Sequence, residues 1–384
     1  MKKILVLHNS YRQYGGEDAA VEDEVNLLKN EYHVAYLNFK NETPNSIQEI
    51  NGLFFNFNNE STKKILAKIN TFKPDYLYLH NSWYKISLSI FEISKKMNIP
   101  LVLKVHNFRY DCANSLHFRK GKACHACTPE KRSPGILNRC YDNSFFKSLV
   151  ITNYSKKYFE KMKTFDFKIL LLNNFHYEYI KDLGVSKEKI YVIPNPIDNV
   201  DNNLIKKIHS NKTAIYAGRL SEEKGVENLL NAWKDSNAKK NHFRIKIIGD
   251  GPLKPKLESK FKNDESIIFT GYQTREFVKM ELINSIFAIT ATQTYENQPM
   301  LLFEASRLGV PSIFPNYGGI SDFFPTNYEL SYEQFNFTEL VYKINFAIDN
   351  IPYLKTLGLN NKNFVEEKFS NKNILEYYRR VFSE

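Results

Sequence analysis

The sequence predicts an α/β protein with two domains, each built on a parallel β-sheet that has helices on both faces. Its 384 residues exceed what a single ordinary core organises, so two domains are expected. The apolar content of 42% and the aromatic content of 14% are typical of a folded globular chain. Short apolar runs alternate with helical patterns along the chain, and this alternation is typical of parallel sheets.

Apolar runs bounded by polar turns predict the individual strands, and amphipathic stretches between them predict the helices. In the first half we expect strands at 4–7, 76–79, 101–105 and 169–172, with helices that include 22–30 and 87–97. In the second half we expect strands at 213–217, 244–248, 266–270, 287–291 and 311–314, with helices at 225–233, 253–262, 275–283 and 301–308. A last helical pattern covers 370–382.

The domain boundary is predicted near Tyr191-Val-Ile-Pro-Asn-Pro-Ile-Asp198, because its two prolines interrupt regular structure. We therefore predict an N-terminal domain at 1–190 with a Cys-rich insertion at 107–143. A C-terminal domain is predicted at 191–365. The terminal helix, 366–384, is expected to pack back on the N-terminal domain.

Two cations follow the predicted strand 213–217. Gly218 and Arg219 come directly after the strand, and Lys224 lies five residues beyond Arg219. Ligands of open α/β sheets bind at the carboxyl ends of strands, and Arg and Lys neutralise phosphate oxygens there. The pair therefore suits a diphosphate, although two exposed surface cations would give the same pattern.

Two carboxylates, Glu296 and Glu304, frame a predicted helix start at Pro299. Such a start offers free N–H groups to a phosphate, while carboxylates accept hydrogen bonds from sugar hydroxyls. A surface pair of glutamates is the alternative. Gly15 and Gly16 follow the first strand, where glycines allow a phosphate to approach the backbone closely. A chain with all these features is suited to bind a nucleotide sugar.

Several ordered motifs together resemble glycosyltransferase family 4, the retaining enzymes of the GT-B fold. They are Gly15-Gly-Glu17, Val192–Asp198, Gly218-Arg-Leu-x-x-x-Lys-Gly225, Gly249-Asp-Gly-Pro252 and Glu296-x7-Glu304, and they extend over essentially the whole chain. The resemblance implies two Rossmann-like domains that face a central cleft. It also implies transfer of a hexose-type sugar, with retained configuration, from a UDP-, GDP- or ADP-linked donor. The acceptor would be a saccharide or lipid-linked saccharide in capsule, O-antigen or exopolysaccharide synthesis.

The resemblance also assigns roles to single residues. Arg219 and Lys224 would hold the donor diphosphate, Glu296 would contact the transferred sugar, and Glu304 would bind the ribose hydroxyls. The backbone at Gly16, Met300 and Leu301 would add contacts to the donor. His106, which ends strand 101–105, occupies the family's active-site histidine position, and His80 has the same placement after strand 76–79. No Asp-x-Asp triplet occurs in the sequence, so no catalytic metal is expected.

All four cysteines lie close together, at Cys112, Cys124, Cys127 and Cys140. Their C-x11-C-x2-C-x12-C spacing is compatible with a structural zinc ion, with free thiols as the alternative. Disulfides are disfavoured in the cytoplasm, where we expect this protein.

The N-terminal half carries a basic segment, since residues 104–168 hold 14 Lys and Arg against 5 Asp and Glu. Within it, 143–163 mixes aromatic residues with lysines, which favours contact with an anionic membrane surface on the inner face of the membrane. A helix packed on its own domain is the alternative. Two other classes remain open: a non-catalytic protein that binds a nucleotide sugar, and a nucleic-acid-binding protein that uses the Cys cluster. No apolar run reaches the roughly 20 residues that span a bilayer.

Overall fold

The computed structural model describes residues 1–11, 15–40, 52–196 and 211–383. The chain divides into two compact units. The first comprises Met1–His117, Cys124–Ile197 and Asn371–Glu384, and the second comprises Phe118–Ala123 and Asp198–Ser370. The last two residues of the proline motif, Ile197 and Asp198, lie outside the described residues.

The first unit is built on a six-stranded parallel sheet with the strand order β2-β1-β3-β4-β7-β8. Its strands are β1 (Lys3–Ser10), β2 (His33–Lys40), β3 (Tyr76–Leu79), β4 (Leu101–Lys104), β7 (Lys168–Leu171) and β8 (Ile190–Val192). The chain order reverses between β1 and β3, which is a topological switch point where α/β sheets bind ligands. Two short strands, β5 (Phe118–Arg119) and β6 (Lys122–Ala123), form a separate antiparallel hairpin.

Helices cover this sheet, and the C-terminal helix is one of them. They are α1 (Gly16–Leu28), α2 (Asn59–Phe72), α3 (Ser89–Met97), α4 (Ser133–Leu137), α5 (Phe145–Thr164), α6 (Asn174–Asp182) and, from the chain's end, α13 (Asn371–Ser383). Ile374, Tyr378 and Val381 of α13 are fully buried in one core cluster with Ile4 and Val6 of β1. The C-terminal helix therefore completes the core of the first unit.

The second unit has its own six-stranded parallel sheet with the order β11-β10-β9-β12-β13-β14. Its strands are β9 (Thr213–Ala217), β10 (Arg244–Ile248), β11 (Ile267–Gly271), β12 (Phe287–Ile289), β13 (Ser312–Asn316) and β14 (Ser331–Glu333). Its helices are α7 (Val226–Asp235), α8 (Lys254–Phe261), α9 (Arg275–Ile283), α10 (Met300–Arg307), α11 (Phe337–Asp349) and α12 (Ile351–Phe369). This is the 3-2-1-4-5-6 order of dinucleotide-binding sheets, with its switch point between β9 and β12.

The structure confirms the predicted α/β class with two parallel, Rossmann-like sheets, and it adds elements that the sequence patterns missed. Strand β2 was missed although it contains the apolar run Val34–Leu37; most of its residues are only half-buried in the structure. Helix α1 begins at Gly16, six residues before the predicted start. The Asp18 carboxylate explains the earlier start, since it accepts a hydrogen bond from the Gly15 N–H at 3.0 Å and caps the helix. No helix in the described ranges is both long and apolar enough to cross a membrane.

Candidate functional site

At the switch point of the second sheet, the loop after β9 lies against the loop after β12. Gly225 holds them together: its φ is +64°, and a Cβ there would lie 1.9 Å from the carbonyl oxygen of Ala291. The N–H of Gln293 also donates to the carbonyl of Glu223 at 2.8 Å. This close approach of two backbones requires glycine, and it places Lys224 beside the residues that follow β12.

Lys224 and Glu296 form an ion pair at this switch point. The buried Thr292 hydroxyl donates to the same Glu296 oxygen at 2.9 Å. The Glu296 carbonyl accepts the Gly319 N–H at 2.9 Å, so both the backbone and the side chain of Glu296 are fixed. The Lys224 and Glu296 side chains remain 31% and 19% exposed, and a ligand can therefore reach both charges.

Arg219 projects from the same loop and is exposed. Its carbonyl accepts the Tyr216 hydroxyl at 2.9 Å, and the next N–H, that of Leu220, donates to the carbonyl of Asp250 at 2.9 Å. Burial raises the pKa of Tyr216, and the negative charge of Glu296 raises it further. Within the described residues the Arg219 guanidinium makes no ion pair, so it remains available for an anion.

Glu304 lies inside α10, one turn after the helix start at Met300. The Nε of Arg275, at the start of α9, donates to a Glu304 carboxylate oxygen at 3.1 Å. Sequence analysis missed Arg275, because only the fold brings the starts of α9 and α10 together. The residue that precedes α10, Pro299, provides no side-chain cap to the first N–H groups of the helix, at Met300 and Leu301.

The carboxyl edge of the first sheet brings two histidines together. His80 follows β3 and His106 follows β4, and Nδ1 of His80 lies 3.0 Å from Nε2 of His106. Burial lowers the pKa of both imidazoles well below the usual value, and the positive charge of Lys104 lowers both further. Both rings are therefore neutral near pH 7, so that each has one N–H donor and one acceptor nitrogen.

Beneath these histidines lies a buried polar network that the sequence did not reveal. The Lys104 ammonium donates to Glu24 at 2.6 Å and to the Tyr378 hydroxyl at 3.0 Å. The hydroxyls of Tyr78 and Tyr378 both donate to the second oxygen of Glu24. The sequence did hold one signal for this network. Lys104 lies at the end of a strand that was predicted to be buried, and a buried ammonium requires a partner.

The Gly15-Gly16 turn at the start of α1 is only partly open to a phosphate. The Asp18 carboxylate already accepts the Gly15 N–H, and it also lies 2.9 Å from Nε2 of the buried His8. Gly16 is exposed as the first residue of α1. A donor contact from this turn stays a prediction, with Gly16 its available position.

Cys112, Cys124 and Cys127 form no disulfide bond. Across the described ranges, no group of three or more His, Cys, Asp or Glu is arranged to hold a metal ion. Burial raises the pKa of Cys112 to about 12, and its Sγ lies 2.9 Å from Oδ1 of Asn114. The zinc site predicted at Cys112, Cys124, Cys127 and Cys140 stays a prediction.

The chain is similar to known proteins in sequence and in fold. Residues 201–364 match the family described as Glycosyl transferases group 1. The lipopolysaccharide 1,6-galactosyltransferase of Escherichia coli (strain K12) is 29% identical over 167 residues, which cover 41% of this chain and 45% of that protein. The amylovoran biosynthesis glycosyltransferase AmsD of Erwinia amylovora is 28% identical over 167 residues, covering 40% of this chain and 45% of that protein. These matches thus span less than half the length of each relative.

Solved structures with the same fold cover the whole chain. A structure of Anabaena HepE in complex with UDP and glucose superposes with a TM-score of 0.67 at 15% identity, and the match covers 100% of both chains. The sucrose-phosphate synthase of Thermosynechococcus elongatus superposes with a TM-score of 0.71 at 13% identity and the same coverage. At these identities the likeness shows the fold alone.

Residues 201–364 thus match the group 1 glycosyl transferases, and the chain shares its fold with the GT-B glycosyltransferases. The resemblance that the sequence motifs indicate is confirmed at this level.

Proposed function

We propose that the protein is a retaining, family 4 glycosyltransferase. It would move a hexose-type sugar from a nucleotide-sugar donor to a saccharide or lipid-linked saccharide in the synthesis of a bacterial surface polysaccharide. The observation that carries this proposal is the Lys224–Glu296 pair at the switch point of the second sheet, with the exposed Arg219 on the same loop. The names of the relatives that act in lipopolysaccharide and amylovoran synthesis support the class of product.

In this proposal, Arg219 and Lys224 neutralise the departing diphosphate. The transition state of sugar transfer has oxocarbenium character, so negative charge develops on the leaving group. Fixed cations stabilise that charge without reorganising during the reaction. Two such side chains on one loop fill the role that a metal ion has in other transferases, so we propose that transfer does not require a metal.

The two glutamates would bind the donor at its two sugar rings. Glu296, whose orientation is fixed by Thr292, would accept hydrogen bonds from the transferred sugar. Glu304, held by Arg275, would accept the ribose hydroxyls, and the N–H groups of Met300 and Leu301 would face the phosphates. His106 is neutral beside His80, so it would hydrogen-bond a sugar hydroxyl rather than attract the phosphate.

A thermal-shift screen of UDP-, GDP- and ADP-sugars tests the donor part. A ligand at 100 times its Kd stabilises the folded state by about 2.7 kcal/mol, so we expect one nucleotide class to raise the melting temperature clearly. If none of the three classes does so at millimolar concentration, the proposal is wrong. NMR of the product then reports the anomeric configuration, and an inverted product would contradict the retaining mechanism.

We also propose that α5 contacts an anionic membrane surface. One face of this helix packs inside the first unit, through residues that include Tyr154, Phe159 and Met162. Its first turn instead exposes Phe145 and Phe146. Leu149 of α5 and Leu137 of the adjoining α4 add further exposed apolar surface. Together with the excess of Lys and Arg in 104–168, this surface suits anionic lipids.

Sedimentation with vesicles tests this contact. The wild type should sediment with phosphatidylcholine vesicles that contain phosphatidylglycerol, and less with pure phosphatidylcholine. The variant Phe145→Ser/Phe146→Ser should stay in the supernatant, while the control Tyr342→Ser, at an exposed aromatic residue of the second unit, should sediment like the wild type. Equal sedimentation of both variants would contradict the proposal.

The zinc site is proposed on the cysteine spacing alone. Metal analysis of the protein purified under reducing conditions should find one zinc ion per chain, and the variant Cys124→Ser/Cys127→Ser should lack it. A metal-free wild type would leave four free thiols as the correct description.

A further inference from the structure

The loop after β13 carries a tyrosine that none of the roles described so far uses. Tyr317 directly follows this strand, and Gly318 and Gly319 come next. Strand β13 pairs in parallel with β12, so the two strands end at the same edge of the second sheet. The loop that holds Tyr317 therefore lies beside the loop that carries Glu296.

The two loops are in direct backbone contact. Gly318 has a φ of +64°, and a Cβ there would lie 3.2 Å from the Glu296 nitrogen and 3.2 Å from the Tyr295 Cα. The Gly319 N–H donates to the Glu296 carbonyl at 2.9 Å. The loop after β13 thus packs on the backbone on both sides of the peptide bond that joins Tyr295 to Glu296.

Two stacked rings add a side-chain contact between the same loops. The ring centres of Tyr295 and Tyr317 lie 4.8 Å apart, and the ring planes are inclined by 18°. Both side chains are half-buried. Burial raises the pKa of Tyr317, and a hydrogen bond with Tyr295 raises it further. Stacking and hydrogen bonding therefore both hold Tyr295 against the loop after β13.

This contact restrains Glu296 in a way that its other partners cannot. The Glu296 carboxylate is held by Lys224 and Thr292, but a ligand that binds the Lys224 ammonium takes one of these partners away. The Tyr295–Tyr317 stack acts on the residue directly before Glu296 and does not involve Lys224. The backbone of Glu296 therefore stays in place when the ion pair opens.

We infer that Tyr317 is a positioning residue for Glu296, which it holds in place through its stack on Tyr295 while Lys224 binds the diphosphate of the donor. The contact of Glu296 with the transferred sugar rests on the proposed function, whereas the positioning of Glu296 rests on the contacts of this loop alone. Tyr317 acts through Tyr295 and not by a contact of its own with the donor.

Calorimetry with UDP, UDP-glucose, UDP-galactose and UDP-N-acetylglucosamine tests the inference, or with the GDP- or ADP-linked counterparts where the thermal-shift screen selects that class. Tyr317→Leu should bind the free diphosphate at least as tightly as the wild type, because Arg219 and Lys224 are unchanged. It should bind the preferred sugar nucleotide about tenfold more weakly, since hydrogen bonds of the sugar to a charged group are lost. A general loosening of the unit would instead weaken both ligands alike.

Two further variants serve as controls. Tyr317→Phe preserves the stacked ring and should restore most of the affinity for the sugar nucleotide. Tyr353→Leu removes another ring of the same unit, which contacts that of Phe346 at 6.2 Å between centres. A hydrogen bond with Glu329, just before β14, places Tyr353 at the amino-terminal side of the sheet. Tyr353→Leu should therefore bind both ligands like the wild type.

A double-mutant cycle in urea unfolding tests the positioning without any donor. Glu296→Gln removes the ion pair with Lys224, and its effect on the free energy of unfolding should be smaller in the Tyr317→Leu background than in the wild type. Glu281→Gln, which removes the pair with Lys246, should have the same effect in both backgrounds. If the cycle shows this coupling but no nucleotide binds the wild type, the proposed function is wrong and the inference stands.

Additive effects in the cycle would overturn the inference. So would a Tyr317→Leu variant that binds the sugar nucleotide like the wild type, or one that loses affinity for the free diphosphate and the sugar nucleotide equally. Should Tyr317→Leu fold poorly, Tyr295→Leu removes the other ring of the stack and should give the same pattern of binding.

Discussion

At the scale of single residues, the site of the second unit is a cation already paired with a carboxylate. Lys224 and Glu296 neutralise each other, and both are partly exposed. A diphosphate that binds Lys224 must therefore compete with Glu296, while a sugar hydroxyl benefits from the carboxylate. In this account, Lys224 contacts the diphosphate of the donor and Glu296 contacts its sugar.

Glu296→Gln should separate these two effects. The change frees Lys224 of its counter-ion, so UDP should bind at least as tightly as in the wild type, whereas kcat for sugar transfer should fall about 100-fold. Calorimetry and initial rates measure the two effects. Glu281→Gln is a matched control, because Glu281 pairs with Lys246 elsewhere in the unit at similar exposure, and it should change neither quantity. Weaker UDP binding in Glu296→Gln would contradict the account.

Buried neutral histidines should make stability fall in acid. Burial lowers the pKa of His176 to about 3, against an ordinary value near 6.5. The unfolded chain therefore binds protons first, so the stability present above pH 6.5 is lost progressively as the pH falls toward 3, at up to about 1.4 kcal/mol per pH unit for each such group.

Melting temperatures between pH 7.5 and 5.0 measure this loss. The variant His176→Gln keeps a partner for the Tyr110 hydroxyl, which lies 2.9 Å from Nε2 in the wild type. It should lose less stability over this range than the wild type. An identical pH dependence in the two proteins would show that His176 is not the titrating group.

The motif residues of the site could be predicted from the sequence, but most of their partners could not. Arg219, Lys224 and Glu296 follow strands within short, ordered motifs, and the edge of a parallel sheet brings such positions together. Arg275 and Glu304 are 29 residues apart on different helices, and Lys104 and Glu24 are 80 residues apart. Those pairings depend on how the elements pack, which no local pattern records.

At the scale of elements, the turn between β9 and α7 is fixed by a glycine that other residues cannot replace. A methyl group at Gly225 would have to displace the backbone of Ala291, and the φ of +64° adds strain. This turn carries Lys224 toward Glu296, so its geometry determines the geometry of the site.

Gly225→Ala should therefore lower the free energy of unfolding by more than an ordinary glycine substitution does. Gly271→Ala is the matched control, because Gly271 also has a positive φ, of +72°, but its nearest neighbour is the mobile end of Lys254 at 3.5 Å. The control should lose about 1–2 kcal/mol of unfolding free energy, from backbone strain alone. Gly225→Ala should lose more than this and also bind UDP more weakly. Equal losses in urea unfolding would contradict the assigned role.

The C-terminal helix α13 is fixed to the first unit by a buried hydroxyl. Tyr378→Phe removes the hydrogen bonds of that hydroxyl with Lys104 and Glu24, and we expect a loss of about 1–3 kcal/mol in unfolding free energy. Tyr377→Phe, at the exposed neighbour on the same helix, should change it by less than about 0.5 kcal/mol. Equal effects in urea unfolding would show that the network does not stabilise the helix.

Central strands, which show a continuous apolar run, were predicted better than strands at the edges of the sheets. Central strands such as β3 and β9 are continuous apolar runs, because helices cover both faces of the sheet. Edge strands β2 and β14 have few buried residues, and β14 is only three residues long, so neither shows the continuous apolar run of a central strand. Helix α6 was also missed, although the sequence holds a signal for its start: the Asn173 side chain accepts the His176 N–H at 2.7 Å and caps the helix.

At the scale of the whole molecule, two parallel sheets each have a switch point with a different set of side chains. The second sheet brings together the cations and carboxylates suited to a nucleotide diphosphate and its sugars. The first sheet brings together the two neutral histidines, His80 and His106. The match to the group 1 glycosyl transferases lies at 201–364, within the second unit, which holds the cations and carboxylates.

The central claim is that Arg219 and Lys224 hold the donor diphosphate, and calorimetric titration with UDP, or with GDP or ADP where the thermal-shift screen selects that class, tests it most directly. The wild type should bind UDP, and Arg219→Ala/Lys224→Ala should bind it at least about 100-fold more weakly, since two charge-assisted contacts are lost. The control Lys212→Ala/Arg244→Ala removes two exposed cations at the opposite, amino-terminal edge of the same sheet, and it should bind UDP like the wild type. Wild-type UDP affinity in Arg219→Ala/Lys224→Ala would contradict the account.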